Sequence, residues 1–260
     1  MSFTCPLTAR NTRNRPVAIA SPAVNVLALY DIHGNLDALE AVLADAPAPD
    51  VVLVGGDAVP GPFAVATLDR LAELPARWVR GNGEREVAAA VGGPEPAEGD
   101  TAAITAALSA AELGDARARP LGELPLTLEL DGVLYCHATP RSDEEILTRL
   151  SADGRYAEAL AGTDAAIVVA GHTHQQDDRR VGSARFVNAG SVGLPYEGDG
   201  AARWLWVADG VPELRHTPYD AAGAGRRMLE RWPDAMSINA ALVDPVPAIE
   251  ITRFFEARAT

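Results

Sequence analysis

Short apolar runs that alternate with helix-forming segments constrain the fold of this 260-residue chain more than any other feature. Val26–Tyr30, Val51–Val54 and Trp78–Val79 have the length and composition of buried strands. Between them, residues 36–43 carry leucine and valine on one helical face, and residues 67–74 predict a second helix. This β-α-β-α-β order predicts a largely parallel sheet that is covered by helices.

The second half of the chain changes to a pattern that is typical of hairpins. Residues 126–130 and 133–136 flank Asp131-Gly132, a strong signal for a tight antiparallel turn. The other segments with a clear pattern are strands at residues 167–170, 185–188 and 203–207, and helix at residues 218–260. Together the two halves predict an α/β fold, a four-layer α/β/β/α sandwich of two mixed β-sheets flanked by helices.

We expect a single domain over residues 25–260. An Ala-rich segment follows a Gly/Pro-rich break at residues 92–99, which predicts a helical cap or insertion around residues 85–125. Residues 1–24 are predicted to form a disordered N-terminal extension, because their apolar part is too short for a signal peptide.

The cellular setting is predicted from what the sequence lacks. It contains no apolar run of about 18 residues, so we expect no membrane span. Cys5 lies in the extension and Cys136 ends an apolar run, which argues against a structural disulfide and fits a reducing compartment. A cytoplasmic location is therefore expected.

The charge of the chain argues against polyanionic partners. Lys and Arg total 22 against 36 Asp and Glu, a formal net charge of −14, and a field of that sign repels nucleic acid. Carboxylates that bind metal would neutralise part of this excess. We therefore expect a small substrate rather than duplex nucleic acid, and leave the oligomeric state open.

Five polar segments directly follow strand-like runs, and they contain four of the five histidines. They are Asp31-Ile32-His33-Gly34-Asn35, Gly55-Gly56-Asp57, Gly81-Asn82, His137 and Gly171-His172-Thr173-His174. Because strand ends open onto one edge of a parallel sheet, these groups should converge. Carboxylate, amide and imidazole ligands without thiolate favour Mn, Fe, Co, Ni or Zn. Seven ligands are too many for one ion unless a carboxylate is shared by two.

These segments resemble the motifs of the calcineurin-like metallophosphoesterase superfamily. The matching strings are DIHGN, GGD, GN, a lone His and GHTH, which run in the family's order and cover residues 26 to about 207. The loops GGDAVPGP and NAGSVGLP look most similar to those of its small bacterial phosphodiesterases.

The resemblance implies a ligand set: Asp31, His33 and His174 for the first metal, Asn82, His137 and His172 for the second, and Asp57 as the bridge between them. It implies two divalent transition-metal ions, Mn first, with Fe, Zn, Ni and Co as alternatives. Asp57, Asn82 and His137 would be the catalytic residues, and Thr139, Ser191 and the Asn82 amide are candidates for binding the substrate phosphate.

The activity implied by the resemblance is hydrolysis of a small phosphate ester, a phosphodiester first, by a metal-bridging hydroxide that attacks phosphorus in line. Two alternatives stay open. One is a nucleotide or dinucleoside polyphosphate hydrolase, whose catalytic core would look the same. The other is a non-catalytic metal-binding scaffold on the same fold, in which ligands would have been lost.

One position departs from the family pattern. Many members carry a histidine after the Gly-Asn pair that protonates the leaving group or binds phosphate, and Gly83 stands there in this chain. The site is therefore predicted to be poor in acid unless Glu84 donates the proton, although Glu84 could equally be a helix-start carboxylate. Asn35 is expected only to cap a helix, and His216 lies outside every motif.

Overall fold

The computed structural model describes residues 24–233 and 236–259, with the side chains of residues 236–239 excepted. The predicted N-terminal extension, except for its last residue, lies outside this part. The strands in chain order are β1 (Val26–Leu29), β2 (Val51–Val54), β3 (Ala76–Trp78), β4 (Thr127–Leu130), β5 (Val133–Cys136), β6 (Ile167–Ala170), β7 (Gln176–Val181), β8 (Ala184–Ala189), β9 (Ala202–Ala208) and β10 (Val211–Thr217).

The strands form two mixed five-stranded sheets. The first has the order β10-β9-β1-β2-β3, in which β1, β2 and β3 are parallel and β9 runs antiparallel to both of its neighbours. The second has the order β4-β5-β6-β8-β7, in which β5, β6 and β8 are parallel and the two edge strands are antiparallel.

Helices cover the outer faces of both sheets. They are α1 (Leu36–Asp45), α2 (Ala64–Ala72), α3 (Asn82–Ala90), α4 (Thr101–Leu113), α5 (Asp115–Ala118), α6 (Asp153–Ala159), α7 (Ala221–Arg231), α8 (Met236–Val243) and α9 (Ala248–Glu256), with a 3₁₀ turn at Arg119–Glu123. Leu39 of α1 and Val87 of α3 pack on the first sheet, and Tyr156 of α6 packs on the second.

The space between the sheets is filled from both sides. One buried apolar cluster includes residues from both sheets. Its members include Val26, Ala28 and Tyr30 from β1 and the residue after it, and Tyr135 and Val187 from the second sheet. The layers are thus helix, sheet, sheet and helix, which confirms the predicted α/β sandwich of two mixed sheets. The segment predicted as a cap contains α4 and α5, but a capping role stays a prediction.

The pattern missed β7 and β10, and both are edge strands. β7 has the sequence QDDRRV and β10 has VPELRHT, with solvent-facing polar residues at alternate positions. A strand that is covered on one side has no continuous apolar run, so it resembles a loop in sequence. The predicted Asp131-Gly132 turn is present, and both residues adopt positive φ, as a tight hairpin turn requires.

Two further predictions concern local structure. The side chain of Asn35 accepts a hydrogen bond from the Ala38 backbone amide and so caps α1 as expected. Cys136 is a buried free thiol, whereas Cys5 lies outside the described residues. Within the described part of the chain, no helix is long and apolar enough to cross a membrane.

Candidate metal centre

The predicted ligands lie where strands of both sheets end. Asp31 and His33 lie in the loop after β1, Asp57 follows β2, and Asn82 begins α3 just beyond β3. In the second sheet, His137 directly follows β5, and the two histidines of the GHTH segment follow β6. The two loops of the first sheet are joined by backbone hydrogen bonds, from Asp31 N to Gly56 O (3.0 Å) and from His33 N to Asp57 O (2.9 Å).

The backbone is unusual at the candidate ligands. Five of the seven adopt the left-handed conformation, which residues other than glycine rarely occupy. They are Asp31 (φ 53°), His33 (φ 50°), Asp57 (φ 54°), His172 (φ 69°) and His174 (φ 58°). Each such residue costs on the order of 1–3 kcal/mol unless its surroundings enforce the conformation, and such residues cluster at functional sites.

A first group of candidate ligand atoms consists of Asp31, His33 and His174. His174 Nε2 lies 3.3 Å from Asp31 Oδ1 and 3.1 Å from His33 Nε2. His33 Nε2 is 3.9 Å from Asp31 Oδ1. One carboxylate oxygen and two imidazole nitrogens thus face a common point, and they are the three residues that the resemblance implies for the first metal.

A second group consists of Asp31, Asp57 and His137. His137 Nε2 lies 3.6 Å from Asp57 Oδ2 and 3.8 Å from Asp31 Oδ1. Asp57 Oδ2 is also 3.9 Å from His33 Nε2, so it lies between a ligand of each expected metal. Asp31 is the carboxylate common to both groups, and the bridging role of Asp57 stays a prediction.

Three buried polar atoms of this site lack a hydrogen-bond partner: Asp31 Oδ1, Asn82 Oδ1 and His137 Nε2. Burying a polar atom without a partner is costly, so each of them calls for an explanation. All three are good ligands for a divalent transition-metal ion and could not all be satisfied by one another. The donor set therefore fits a metal site.

The other nitrogen of the imidazole rings is held by the backbone. His33 Nδ1 is 3.2 Å from Pro60 O, His137 Nδ1 is 3.0 Å from Gly55 O, and His174 Nδ1 is 2.8 Å from Leu194 O. A ring that donates from Nδ1 to a carbonyl leaves the Nε2 lone pair free for a metal. These contacts orient three of the four histidines toward the site.

Two further ligands are oriented by neighbours. Asn82 Nδ2 donates to Glu86 Oε1 at 3.2 Å, which directs the amide oxygen away from α3. The His172 backbone amide donates to Asp31 Oδ2 (2.9 Å), and the His172 ring lies 5.1 Å from the His137 ring between centroids. The structure thus brings all seven predicted ligands into one region, while their individual roles stay predictions.

Burial and charge set the protonation of the site. Burial lowers the pKa of His33 and of His172 to about 3, so both rings are neutral near pH 7. Burial raises the pKa of Asp57 to about 7. Burial also opposes ionisation of Asp31, but the neighbouring charges of His174 and His137 outweigh it and lower the Asp31 pKa.

His137 behaves differently from the other histidines. Burial tends to lower its pKa, but the carboxylates of Asp57 and Asp31 outweigh this effect and raise it. Two carboxylates and one imidazole in such proximity share protons when no cation is present. A divalent cation would replace those protons, because both ligand types bind metal in the deprotonated form.

The sequence leaves two roles open for Glu84, as a proton donor or as a helix-start carboxylate, and its contacts favour the second. Its buried carboxylate accepts three backbone hydrogen bonds, from Asp57 N (2.7 Å), Ala58 N (2.8 Å) and Gly81 N (3.0 Å). It therefore is the helix-start carboxylate of α3, and it also ties the Asp57 loop to the loop of Asn82. An acid with all these contacts is poorly placed to donate a proton to a leaving group.

The hydroxyls of Ser191 and Thr139, two of the three predicted substrate contacts, have partners inside the protein. Ser191 Oγ donates to Asp31 O (2.7 Å) and accepts from Leu194 N (2.8 Å). Thr139 Oγ1 donates to Glu145 Oε2 (2.8 Å). These contacts favour roles in shaping the loops, and substrate binding by either hydroxyl stays a prediction. His216 is exposed on β10, outside both groups of ligand atoms.

Comparison with known proteins agrees with this geometry. Residues 24–207 match the family model described as the calcineurin-like phosphoesterase superfamily domain, so the chain belongs to that superfamily. No curated protein matches the sequence.

Solved structures are similar to this chain at low sequence identity, and the first two of the following three share its fold. A metallophosphoesterase from Sphaerobacter thermophilus is 22% identical over 86% of this chain and 100% of its own, with a TM-score of 0.69. The hypothetical protein PH1004 from Pyrococcus horikoshii is 17% identical over 86% of this chain and 99% of its own, with a TM-score of 0.71. The phosphoesterase YfcE from E. coli is 20% identical over 70% of this chain and 87% of its own, with a TM-score of 0.41.

Proposed function

We propose that this protein is a binuclear metal-dependent phosphoesterase that hydrolyses a small phosphate ester, a phosphodiester in preference to a monoester. The observation that carries the proposal is the set of three buried, unpartnered ligand atoms on Asp31, Asn82 and His137. They come from three different loops, and they lie among histidines whose Nδ1 atoms are already bound to carbonyls.

The chain would hold the two ions with the seven residues that the resemblance implies, and Mn is our first choice. When bound, a pair of divalent ions lowers the pKa of water and stabilises negative charge on a phosphoryl group. The protein itself fixes the ligand positions. Asp57 Oδ2 lies between His33 and His137, and Glu84 holds the Asp57 loop against the start of α3.

The test combines metal analysis with turnover. Protein stripped with a chelator and reloaded with Mn²⁺ is expected to hold about two equivalents of metal. It should then hydrolyse bis(4-nitrophenyl) phosphate faster than 4-nitrophenyl phosphate. Asp57→Ala and Asn82→Ala should each lower kcat/KM by on the order of a hundredfold or more, because both remove a ligand.

His216→Ala is the matched control, since His216 is exposed and distant from the ligand groups, and it should behave like the parent protein. Metal binding without turnover of any phosphate ester would favour the non-catalytic scaffold instead. Turnover of nucleotides or dinucleoside polyphosphates in preference to diesters would favour the nucleotide hydrolase. Full activity of Asn82→Ala with loss of activity in His216→Ala would refute the ligand set.

A further inference from the structure

A pocket of about 680 Å³ lies beside the candidate metal centre. One wall carries His172, a predicted ligand of the second metal, and another carries Glu144 and Arg141 from the loop after β5. The third wall consists of Phe255 and Arg258 at the end of α9. We name this space the Arg258 pocket. α9 lies beyond residues 24–207, the part of the chain that matches the superfamily model.

The charges that line the Arg258 pocket are paired, with one exception. Arg141 forms two hydrogen bonds to Glu145, and Glu144 binds Arg85 at 2.8 Å. Arg258 has no carboxylate within ion-pair distance among the described residues. Its Nη1 donates to the Phe254 carbonyl near the end of α9, and its guanidinium lies 3.5 Å from the Phe254 ring centroid.

Arg258 lies in the turn that follows α9, and α9 is anchored beside the metal centre. Gln175 follows the predicted ligand His174, and its Nε2 donates to Ala248 O (2.8 Å) while its Oε1 accepts from Thr252 Oγ1 (2.7 Å). At the other end of α9, Glu256 accepts hydrogen bonds from the hydroxyls of Thr148 and Ser151. Both ends of the helix are therefore held in a defined position relative to the ligand loop.

Aromatic contacts complete this connection. The Tyr196 ring stacks on the His174 ring with centroids 4.7 Å apart, and Phe255 packs on the far side with its centroid 6.1 Å from that of Tyr196. The turn after this anchored helix places Arg258 in the lining of the same pocket as His172, a predicted metal ligand. This matters in a chain of net charge −14, which otherwise repels a substrate with several negative charges.

On the basis of the phosphoesterase function proposed above, we infer that the Arg258 pocket is a subsite for a second anionic group of the substrate. The guanidinium of Arg258 binds that group, a carboxylate or a second phosphate, while the scissile phosphate lies at the metal centre. Arginine suits this role because its planar donors match both oxyanions with paired hydrogen bonds. The preferred substrate is then a phosphate ester that carries a second anionic group, rather than a diester whose alkyl or aryl groups are uncharged.

The test uses pairs of 4-nitrophenyl phosphodiesters that share one leaving group. The second ester group is 3-hydroxypropyl in the neutral probe, and 2-carboxyethyl or 2-phosphonoethyl in the anionic probes. A second set carries the charged or neutral group on the phenol, at matched leaving-group pKa. In at least one set, the Mn²⁺-loaded protein should prefer an anionic probe. Arg258→Gln should lower the ratio of anionic to neutral kcat/KM by about three- to tenfold, and leave turnover of the neutral probe unchanged.

Arg253→Gln is the matched control, because Arg253 is exposed near the end of α9, close to Arg258 in sequence, and does not line the pocket. It should leave the ratio unchanged, and Arg258→Lys should retain part of the preference. An equal ratio in the parent protein and in Arg258→Gln would overturn the subsite, as would an equal loss in Arg253→Gln. Comparison of the carboxylate probe with the phosphonate probe shows which anion the subsite prefers.

Binding separates failure of the subsite from failure of the proposed function. Methylenebisphosphonate and methylphosphonate are titrated into the Mn²⁺-loaded protein by calorimetry. Arg258→Gln should lower the binding affinity for methylenebisphosphonate by about three- to tenfold and leave the affinity for methylphosphonate unchanged. If no ester is turned over but this selective loss is seen, the phosphoesterase proposal fails and the subsite stands. If esters are hydrolysed and the bisphosphonate binds equally well to both proteins, the subsite fails.

Discussion

A β-carbon added to Gly83 would lie only 2.5 Å from Cγ of Pro60. It would also lie 2.8 Å from Oδ1 of Asp57, the atom that accepts a hydrogen bond from the Gly83 amide at 2.6 Å. A Cβ atom essentially never lies this close to another heavy atom, so Pro60 or Asp57 would have to move. The glycine at this position is therefore required by the packing around Asp57, and any imidazole there has no room.

The first prediction concerns this contact. Gly83→His should lower kcat/KM of the Mn²⁺-loaded protein by about tenfold or more, because it displaces Asp57, a predicted metal ligand, and should lower the free energy of unfolding by about 1–3 kcal/mol. Thermal denaturation and diester turnover measure both effects. Gly154→His is the control, since Gly154 is exposed and its added Cβ would have no neighbour within 4 Å. Improved alkyl-ester turnover in Gly83→His would contradict the steric argument.

The second prediction concerns the leaving group. With no imidazole at position 83 and the Glu84 carboxylate bound to three backbone amides, the leaving oxygen departs with little protonation. A general acid usually contributes about 10²–10⁴-fold, mostly for poor leaving groups. Rates for a series of aryl and alkyl diesters should therefore fall steeply as leaving-group pKa rises. A flat series, with the chemical step shown to be rate-limiting, would mean that another group donates the proton.

The third prediction concerns Glu84 as a structural brace. Glu84→Gln replaces one accepting oxygen with an NH₂ group, which must face a backbone amide of Asp57, Ala58 or Gly81. The free energy of unfolding of the metal-free protein should fall by about 1–3 kcal/mol. Metal affinity should fall as well, because the Asp57 and Asn82 loops lose their connection. Glu98→Gln, at an exposed position, should change neither quantity, and equal effects of both substitutions would contradict this role.

The order of the five polar segments was enough to predict the location of the site. Each segment comes directly after a strand, and the carboxyl ends of parallel strands lie at one edge of a sheet. Asp31 and Asp57, which follow neighbouring strands of the first sheet, could therefore be expected to meet. The approach of His33 to His174 depends in addition on how the two sheets stack, because His174 follows a strand of the second sheet. The three missed elements have weaker signals. β7 and β10 are polar edge strands, and α6 is short and half exposed.

Other features of the site depend on contacts that no local pattern encodes. The left-handed backbone at Asp31 and His172 results from how neighbouring loops are bonded, not from the residue type. The clash between Pro60 and position 83 arises from two loops that meet only in the folded chain. Glu84 did carry a signal, because a carboxylate at the third helical position commonly accepts from the amide before the helix. The sequence carried no signal for the other two hydrogen bonds that Glu84 accepts, from the Asp57 and Ala58 amides.

The fourth prediction concerns the pH dependence of stability without metal. Burial first, and the charges of Glu84 and Asp31 next, raise the pKa of Asp57 to about 7, although His137 opposes them. A raised folded pKa means that the contribution of Asp57 to stability is present at acidic pH, below the unfolded value near 4, and is lost as pH rises through about 7. The raised pKa of His137 acts in the same direction. His33 and His172 act in the opposite direction, because their folded pKa values of about 3 lie below the unfolded value near 6.5, so their contribution to stability is gained as pH rises through that value.

The histidine contributions are shared by the parent protein and Asp57→Asn. In EDTA the parent should therefore lose Tm relative to Asp57→Asn between about pH 6 and about pH 8, and Mn²⁺ should raise the parent's Tm most at the higher pH, where Asp57 is already deprotonated. Asp57→Asn removes the ionisation but keeps an oxygen that can accept from the Gly83 amide, so the metal-free variant should lose much less Tm between the two pH values. Differential scanning calorimetry of both proteins, with and without Mn²⁺, measures all of these quantities. If the metal-free parent and Asp57→Asn show the same pH dependence, Asp57 does not titrate in this range. The site would then hold its carboxylates ionised without a cation, and the unpartnered Asp31 and His137 atoms would need another explanation than a missing metal.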